Sequence, residues 1–309
     1  MVTRSAGSQN GDRMVTRPVP ADWLGQRRRA DHQAREKATP LIETLTTRLQ
    51  ELLPAEAQAS DAAETERAVT DEGAAATSVH VIDVGAGTGS NQAWLAPRLD
   101  VAQRWTLLDH DADLLEVAAE DPSAAGTGQT TRVVGTIEDL PGLTRGEEVQ
   151  LVTCSALLDL LSPHEAEVLA DSIAGPAAGA NVTALLSLTV TGQVTITPSH
   201  PDDALITEAF DAHQRRDGLL GPDAAHAVAK LLRDRGAEVS IAATDWELDS
   251  AEAALIQRYL RDRADVAVEH DPSLAGVAED WVSAREAQLA QDELRVSVGH
   301  LDLLSLPGT

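Results

Sequence analysis

Apolar residues recur along this chain with two different periods. Between Trp23 and Leu53 they fall three and four apart, at Leu41, Ile42, Leu45, Leu49, Leu52 and Leu53, which predicts one or two leading helices ended by Pro54. Residues 55–78 are Ala-rich and acidic with no apolar stripe, the pattern of a solvated linker or a loose surface helix. From residue 79 onward short strand-like runs alternate with helical ones. Strands are predicted at Val79–Val84, Trp105–Leu108, Thr131–Val134, Val149–Cys154 and Val182–Leu188, with helices near Gln92–Leu99, Ala112–Ala119 and Pro163–Ile173. Such alternation implies a parallel sheet with crossover helices. The Thr/Val-rich "TVTGQVTITPSHPDD" predicts a hairpin turning at Gly192-Gln193. Helices around Ala204–Gln214 and Pro222–Arg235, a strand in "AEVSIAATDWEL", a helical stretch over 250–290 and a last strand in "LRVSVGHLDLL" complete the pattern.

Composition narrows this picture. With 309 residues, 43% of them hydrophobic, the chain can bury a large core, and with five Trp, one Tyr and one Phe that core must be mainly aliphatic. A formal net charge of -26 argues against a nucleic-acid partner, because phosphate binding needs a cationic surface. Cys154 is the only cysteine, which rules out an internal disulfide and any zinc site built on several thiolates, and fits a cytoplasmic protein. No apolar run of signal-peptide or membrane-span length is visible, so a membrane role is not expected. "MVTR" occurs at 1–4 and again at 14–17; residues 1–17 are expected to be a disordered extension, with Met14 an alternative start.

The chemistry concentrates in "HVIDVGAGTGSN", residues 80–91. In the plainest reading Gly85, Gly87 and Gly89 only supply positive φ for a strand-to-helix turn. A dinucleotide fold would need its third glycine where Ser90 stands. The spacing Gly-x-Gly-x-Gly, with Asp83 two residues before it, resembles instead the first motif of class I S-adenosylmethionine-dependent methyltransferases. That resemblance implies that Gly85, Ala86, Gly87 and Gly89 pass under the methionyl part and ribose of the cofactor, with Asp83 near its ammonium, directly or through water. It also implies that Asp109, in "WTLLDHDADLL", accepts from both ribose hydroxyls while His110 flanks the adenine. "VVGTIEDLPG" resembles the family's stretch after the third strand, but Thr136 stands where an Asp is common, so the adenine contact passes to Thr136, the Ile137 backbone or Glu138. "VQLVTCSALLDLLSP" resembles the fourth strand and its loop, placing Ser155 at the cofactor and Leu158 and Asp159 at the substrate. These matches cover residues 79–163.

Other readings of the same residues are bland. Asp111 is the natural cap of the next helix. Asp109, Asp111, Asp113 and Glu120 fit a calcium loop at positions 1, 3, 5 and 12, but Leu114 stands where glycine is required, so no metal is expected. Buried packing is expected of Cys154. Arg27, Arg28 and Arg29 are expected to balance neighbouring acids, and His300 to lie on the last strand away from the cofactor edge.

The resulting expectation is an α/β fold: a doubly wound, mostly parallel seven-stranded sheet of Rossmann-like methyltransferase type, whose strand order and antiparallel last strand are what the family resemblance implies. A helical segment and linker, 18–78, lead into a domain over 79–309 with helical cap insertions at 190–216 and 250–290. The expected activity is methyl transfer from S-adenosyl-L-methionine to a small molecule; a nicotinamide-dependent oxidoreductase and a non-catalytic cofactor-binding protein are the alternatives. Within "AFDAHQRRDGLLGPDAA", His213 is the candidate base, and Phe210, Gln214 and Arg215 are candidate substrate contacts.

Overall fold

A computed structural model describes residues 2–4, 20–53, 78–120, 128–145, 149–176, 178 and 182–308. Pro54, most of the acidic linker and most of the expected N-terminal extension lie outside the described residues.

Helices α1 (Ala21–Arg35) and α2 (Thr39–Leu52) lead the chain. Then follow β2 (Val79–Val84), α3 (Ser90–Leu95), β3 (Gln103–Asp109), α4 (Ala112–Glu120), β4 (Gln129–Val134), α5 (Leu140–Thr144), β5 (Val149–Ser155) and α6 (Pro163–Ala174). The second half runs β6 (Thr183–Thr197), α7 (Asp203–Gln214), α8 (Ala224–Asp234), β7 (Glu238–Ala243), β8 (Trp246–Leu248), α9 (Ala253–His270), α10 (Ala275–Ala290) and β9 (Arg295–Leu306). The strands form one sheet in the order β1-β4-β3-β2-β5-β6-β9-β7, where β1 is a short edge strand, Val2–Arg4, and β8 pairs with β9. Only β9 runs against the rest, pairing antiparallel with β6, β7 and β8. The expected seven-stranded sheet is therefore present, with two short strands added to it.

Period-two alternation sorts the sheet residues onto two cores. Ile82, Val84, Val152, Cys154, Leu186 and Leu303 face α6 and α8. Val79, Val81, Leu107, Leu151, Leu185 and Leu304 face α2, α3 and α4. Burial holds the Cys154 thiol well above its usual range, in keeping with a packing role.

A third core stands above the carboxyl edge of the sheet. There β6 and β9 run on past their neighbours and, with β8, α7, α9 and α10, enclose Trp246, Ile256, Trp281 and Val296, joined by Ala30 and Ala34 of α1. The extension of β6 corrects the expected hairpin. Gly192 does not reverse the chain; it marks an irregularity between Val190 and Val194, on both sides of which β6 stays paired with β9. Its φ of 74° and the closeness of Asp211 and Pro222 to its Cβ position explain the glycine there. Among the described residues no helix is long and apolar enough to cross a membrane.

Candidate functional site

At the carboxyl end of β2 the chain turns through Gly85, Gly87 and Gly89, whose φ angles of 66°, 53° and 76° all lie in the left-handed region. An L side chain is strained at each, and a Cβ at Gly85 would also meet Leu157 at 3.0 Å. Asp109, at the adjacent end of β3, binds this turn directly: its Oδ2 accepts from Gly87 N–H (2.7 Å) and its Oδ1 from Asp111 N–H (2.9 Å). His110 beside it is exposed, its Nδ1 3.4 Å from Asp109 Oδ1. Beyond β4, Thr136 donates its N–H to Asp139 Oδ2 (2.9 Å), Ile137 is buried, and Gly135 N–H reaches the Asp109 carbonyl (2.9 Å). Glu138 is exposed and sits 3.4 Å from His164. The structure thus gathers the turn, Asp109 and the Thr136 corner at one edge of the sheet.

Asp83 sits one level lower. It is fully buried, and its Oδ1 accepts from Asn91 Nδ2 (2.7 Å), while Oδ2 has no hydrogen-bond partner among the described residues. Burial raises its carboxyl to about 7 against the opposing effects of the Asn91 hydrogen bond and the Arg35 charge. Asp83 belongs to a polar row that crosses four strands on one face: Asp83, Thr153, Ser187 and Asp302. Arg35 of α1 roofs that row, donating to Asn91 Oδ1 (2.9 Å) and Ser187 Oγ (3.1 Å), with its Nε 3.9 Å from Asp302 Oδ2. Asp302 Oδ1 in turn accepts from Leu188 N–H (2.8 Å) and Thr244 Oγ1 (2.7 Å). The guanidinium also lies 3.9 Å over the Trp94 ring, whose π face offsets part of the cost of burying that charge.

The same helix covers the gap in front of the turn. Leu24 Cδ1 lies 3.4 Å from the Cβ position of Gly87, and His32 Nε2 lies 3.2 Å from Ser90 Oγ. Arg27 forks onto Asp31 through Nε (2.9 Å) and Nη2 (3.1 Å), 5.0 Å over the Trp246 ring, and Trp246 donates its indole N–H to Asp31 Oδ1 (3.0 Å). Arg27 does balance an acid, as expected, but within the site rather than on a remote surface; Arg29 does so with Glu252 at 3.8 Å. Below, Ser155 ends β5, Ala156 just after it carries a φ of 54°, and Leu188 within the neighbouring β6 carries a φ of 53°. Left-handed backbone at two non-glycine residues is strain of the kind that gathers at functional sites. Asp159 follows in the β5 loop, its carboxyl raised by burial.

Four expectations need correction. Leu158 is fully buried in the core facing α6 and α8, so it supports the loop from beneath. His213 is buried between α7 and α9, bonded to Arg216 (2.5 Å) and 3.4 Å from Glu269. Glu269 is ten residues along α9 from Tyr259, the residue that touches Trp246 at 6.3 Å between centroids, and so lies about 15 Å further along that helix. Phe210 packs under Arg263 (4.3 Å), Gln214 ends α7, and Arg215 pairs with Asp223 (3.0 Å), all on the cap and none at the turn. His300 is the reverse case: expected away from the cofactor edge, it sits on it, because β9 is antiparallel and pairs His300 with Val190, beyond the end of β5. Arg35, Asn91, Ser187, Trp246 and Asp302 were not singled out by the sequence, and no local signal marks them.

Residues 81–175 match the family model of a methyltransferase domain. Among solved structures, a putative methyltransferase from Bacillus halodurans is 16% identical over 86% of this chain and 99% of its own, with a TM-score of 0.45. A putative sarcosine dimethylglycine methyltransferase from Galdieria sulphuraria is 11% identical over 89% of this chain and 88% of its own, with a TM-score of 0.42. No curated protein matches the sequence.

Proposed function

We propose that the chain, whose residues 81–175 match the family model of a methyltransferase domain, is a class I S-adenosylmethionine-dependent enzyme that methylates a small-molecule acceptor held between the carboxyl edge of the sheet and the cap. The observation that carries this is the pairing of two carboxylates with the positive-φ turn: Asp109 on its outer side and the unpartnered, buried Asp83 Oδ2 behind it. A diol fits the first and an ammonium the second, and both groups occur in S-adenosylmethionine. Ser155 borders the methionyl side, and Thr136, Ile137 and His110 border the adenine. When bound, the cofactor supplies an electrophilic methyl on a sulfonium.

The chain's own part is positioning. Held facing each other in a gap roofed by Leu24 and Arg27, the two reactants gain the advantage of an intramolecular reaction. Arg35 fixes α1 on the polar row and so sets the height of that roof. The strong acidic charge supports a small-molecule acceptor over a nucleic acid, and the single buried cysteine supports a reducing, cytoplasmic setting.

Calorimetry with S-adenosylhomocysteine and with NAD tests the reading. Micromolar binding of the first and none of the second is expected. Binding of NAD alone would make the chain an oxidoreductase, and binding of neither at millimolar concentration would overturn both.

A further inference from the structure

His300 is 1% exposed and lies on the same face of β9 as Asp302, two residues nearer the cap. Its main-chain N–H donates to Asp245 Oδ1 (2.9 Å). Its Nδ1 is 2.9 Å from the Val298 carbonyl oxygen, which can only accept, so Nδ1 carries the ring proton. Nε2 is left as a bare lone pair, and no group among the described residues takes it up. The ring packs on Trp246 at 5.1 Å between centroids, which fixes its orientation. Arg27 of α1 faces it, with Asp31 on the same helix and Asp245 in the turn before β8. Burial first, and Arg27 second, lower this imidazole to about 4, so it is neutral at physiological pH.

Helix α1 measures how near this lone pair is to the glycine turn. Leu24 touches the Cβ position of Gly87; Arg27, one turn on and about 4.5 Å along the axis, lies over Trp246 and bears electrostatically on both Asp159 and His300. One helix therefore lies against the turn and, one turn on, beside the β5 loop and His300. Asp31 already binds Arg27 through two hydrogen bonds, which favours a neutral acceptor over an anionic one.

We propose that His300 is a catalytic residue whose Nε2 receives the proton lost by the acceptor atom, and that the acceptor is a neutral hydroxyl or amine. This rests on the methyltransferase reading above. The acceptor's lone pair forms the new bond to the methyl carbon, the carbon–sulfur bond breaks with its electron pair staying on sulfur, and the O–H or N–H proton passes to Nε2. The imidazolium so formed faces the carboxylates of Asp31 and Asp245.

Two measurements test this. In the first, the wild-type chain with labelled histidine nitrogens and bound S-adenosylhomocysteine is titrated with phenol, aniline, anisole and N,N-dimethylaniline. Phenol or aniline should shift the His300 Nε2 signal, and their proton-free counterparts should not. In the second, methyl transfer to phenol and to aniline is compared between wild type and His300→Gln. Transfer to the proton-bearing compounds should fall by roughly 10²-fold or more, the usual contribution of a general base, with S-adenosylhomocysteine affinity unchanged. An Nε2 signal moved by none of the compounds, or by all four alike, overturns the proposal, as does transfer unaffected by the substitution. The titration needs no variant and stands even where His300→Gln does not fold. Failure of the wild type to bind S-adenosylhomocysteine overturns the methyltransferase reading itself, and the proposal with it.

Discussion

The glycine turn and the roof of α1 border the same gap but are built in opposite ways. At the turn the bonds are local: Asn91 holds Asp83 eight residues away, and Gly87 meets Asp109 across 22. In the roof they are remote, with Arg35 reaching Ser187 across 152 residues and Trp246 reaching Asp31 across 215. A cofactor shared by many enzymes can be met by a short, backbone-defined motif. The roof is assembled from α1, the β5 loop and the last strands, so it can vary without disturbing the turn. The comparison breaks if substitutions in the roof act like substitutions in the turn.

The largest effect is expected at Arg35. It is fully buried, and its removal leaves the carboxylates of Asp302 and Asp83 without the cation that faces them. Arg35→Met should cost about 3–5 kcal/mol in denaturant unfolding, the range for breaking one side of a buried pair. Adding Asp302→Asn should recover part of that loss, since it removes the stranded charge. Arg35→Met within about 1 kcal/mol of wild type would mean that the roof is not anchored through this row.

The next effect sets the two regions against each other through pH. Asp83, raised to about 7, keeps a proton in the folded state that the unfolded chain releases above pH 4, so its contribution to stability is lost as pH rises toward 7. His300, lowered to about 4, stays neutral while the unfolded chain takes up a proton below its ordinary 6.5, so its contribution is lost as pH falls from 6.5 toward 4. The two windows overlap with opposite sign, and each amounts to roughly 3–5 kcal/mol. Compared with wild type, Asp83→Asn should make stability rise more steeply with pH between 4 and 6.5, and His300→Gln should make it rise less. Unfolding midpoints across that range check both, and parallel curves for the two variants would show that neither group titrates as its burial dictates.

What was legible follows the same division. The strand alternation, the glycine spacing and Asp109 at a strand end are local patterns, and the sheet with its carboxyl-edge turn could be read from them. The hairpin at Gly192 was misread because a strand that bends and a strand that reverses carry the same Gly in a Thr/Val run; only the partner, β9, distinguishes them. His213 attracted attention through the density of its neighbours, yet those neighbours are its structural partners. His300 sits in "VSVGHLDLL" with nothing around it to suggest chemistry; the antiparallel direction of β9 brings it to the carboxyl edge, and Val298 holds its Nδ1 so that Nε2 is the nitrogen left over.

A smaller effect separates binding from folding at the turn. If Asp109 holds the ribose hydroxyls, Asp109→Ala should weaken S-adenosylhomocysteine by about 1.5–3 kcal/mol, roughly tenfold to a hundredfold or somewhat more in Kd. Because the same carboxylate binds Gly87 and Asp111 N–H, thermal stability should fall as well. Calorimetry and a melting curve on one sample check the two parts, and an unchanged Kd would remove Asp109 from the cofactor site.

The smallest effect belongs to its neighbour. Asp111 Oδ1 accepts from Asp113 N–H (2.9 Å) and Leu114 N–H (3.3 Å), which satisfies two of the donors left open at the start of α4. Asp111 therefore acts on the helix and not on the gap. Asp111→Ala should cost about 1 kcal/mol of stability, Asp111→Ser should restore most of it, and Kd for S-adenosylhomocysteine should stay within about twofold of wild type. A loss of affinity as large as that of Asp109→Ala would show that the whole "LLDHD" segment moves as one loop, and that the turn is less independent of its surroundings than its short-range bonds imply.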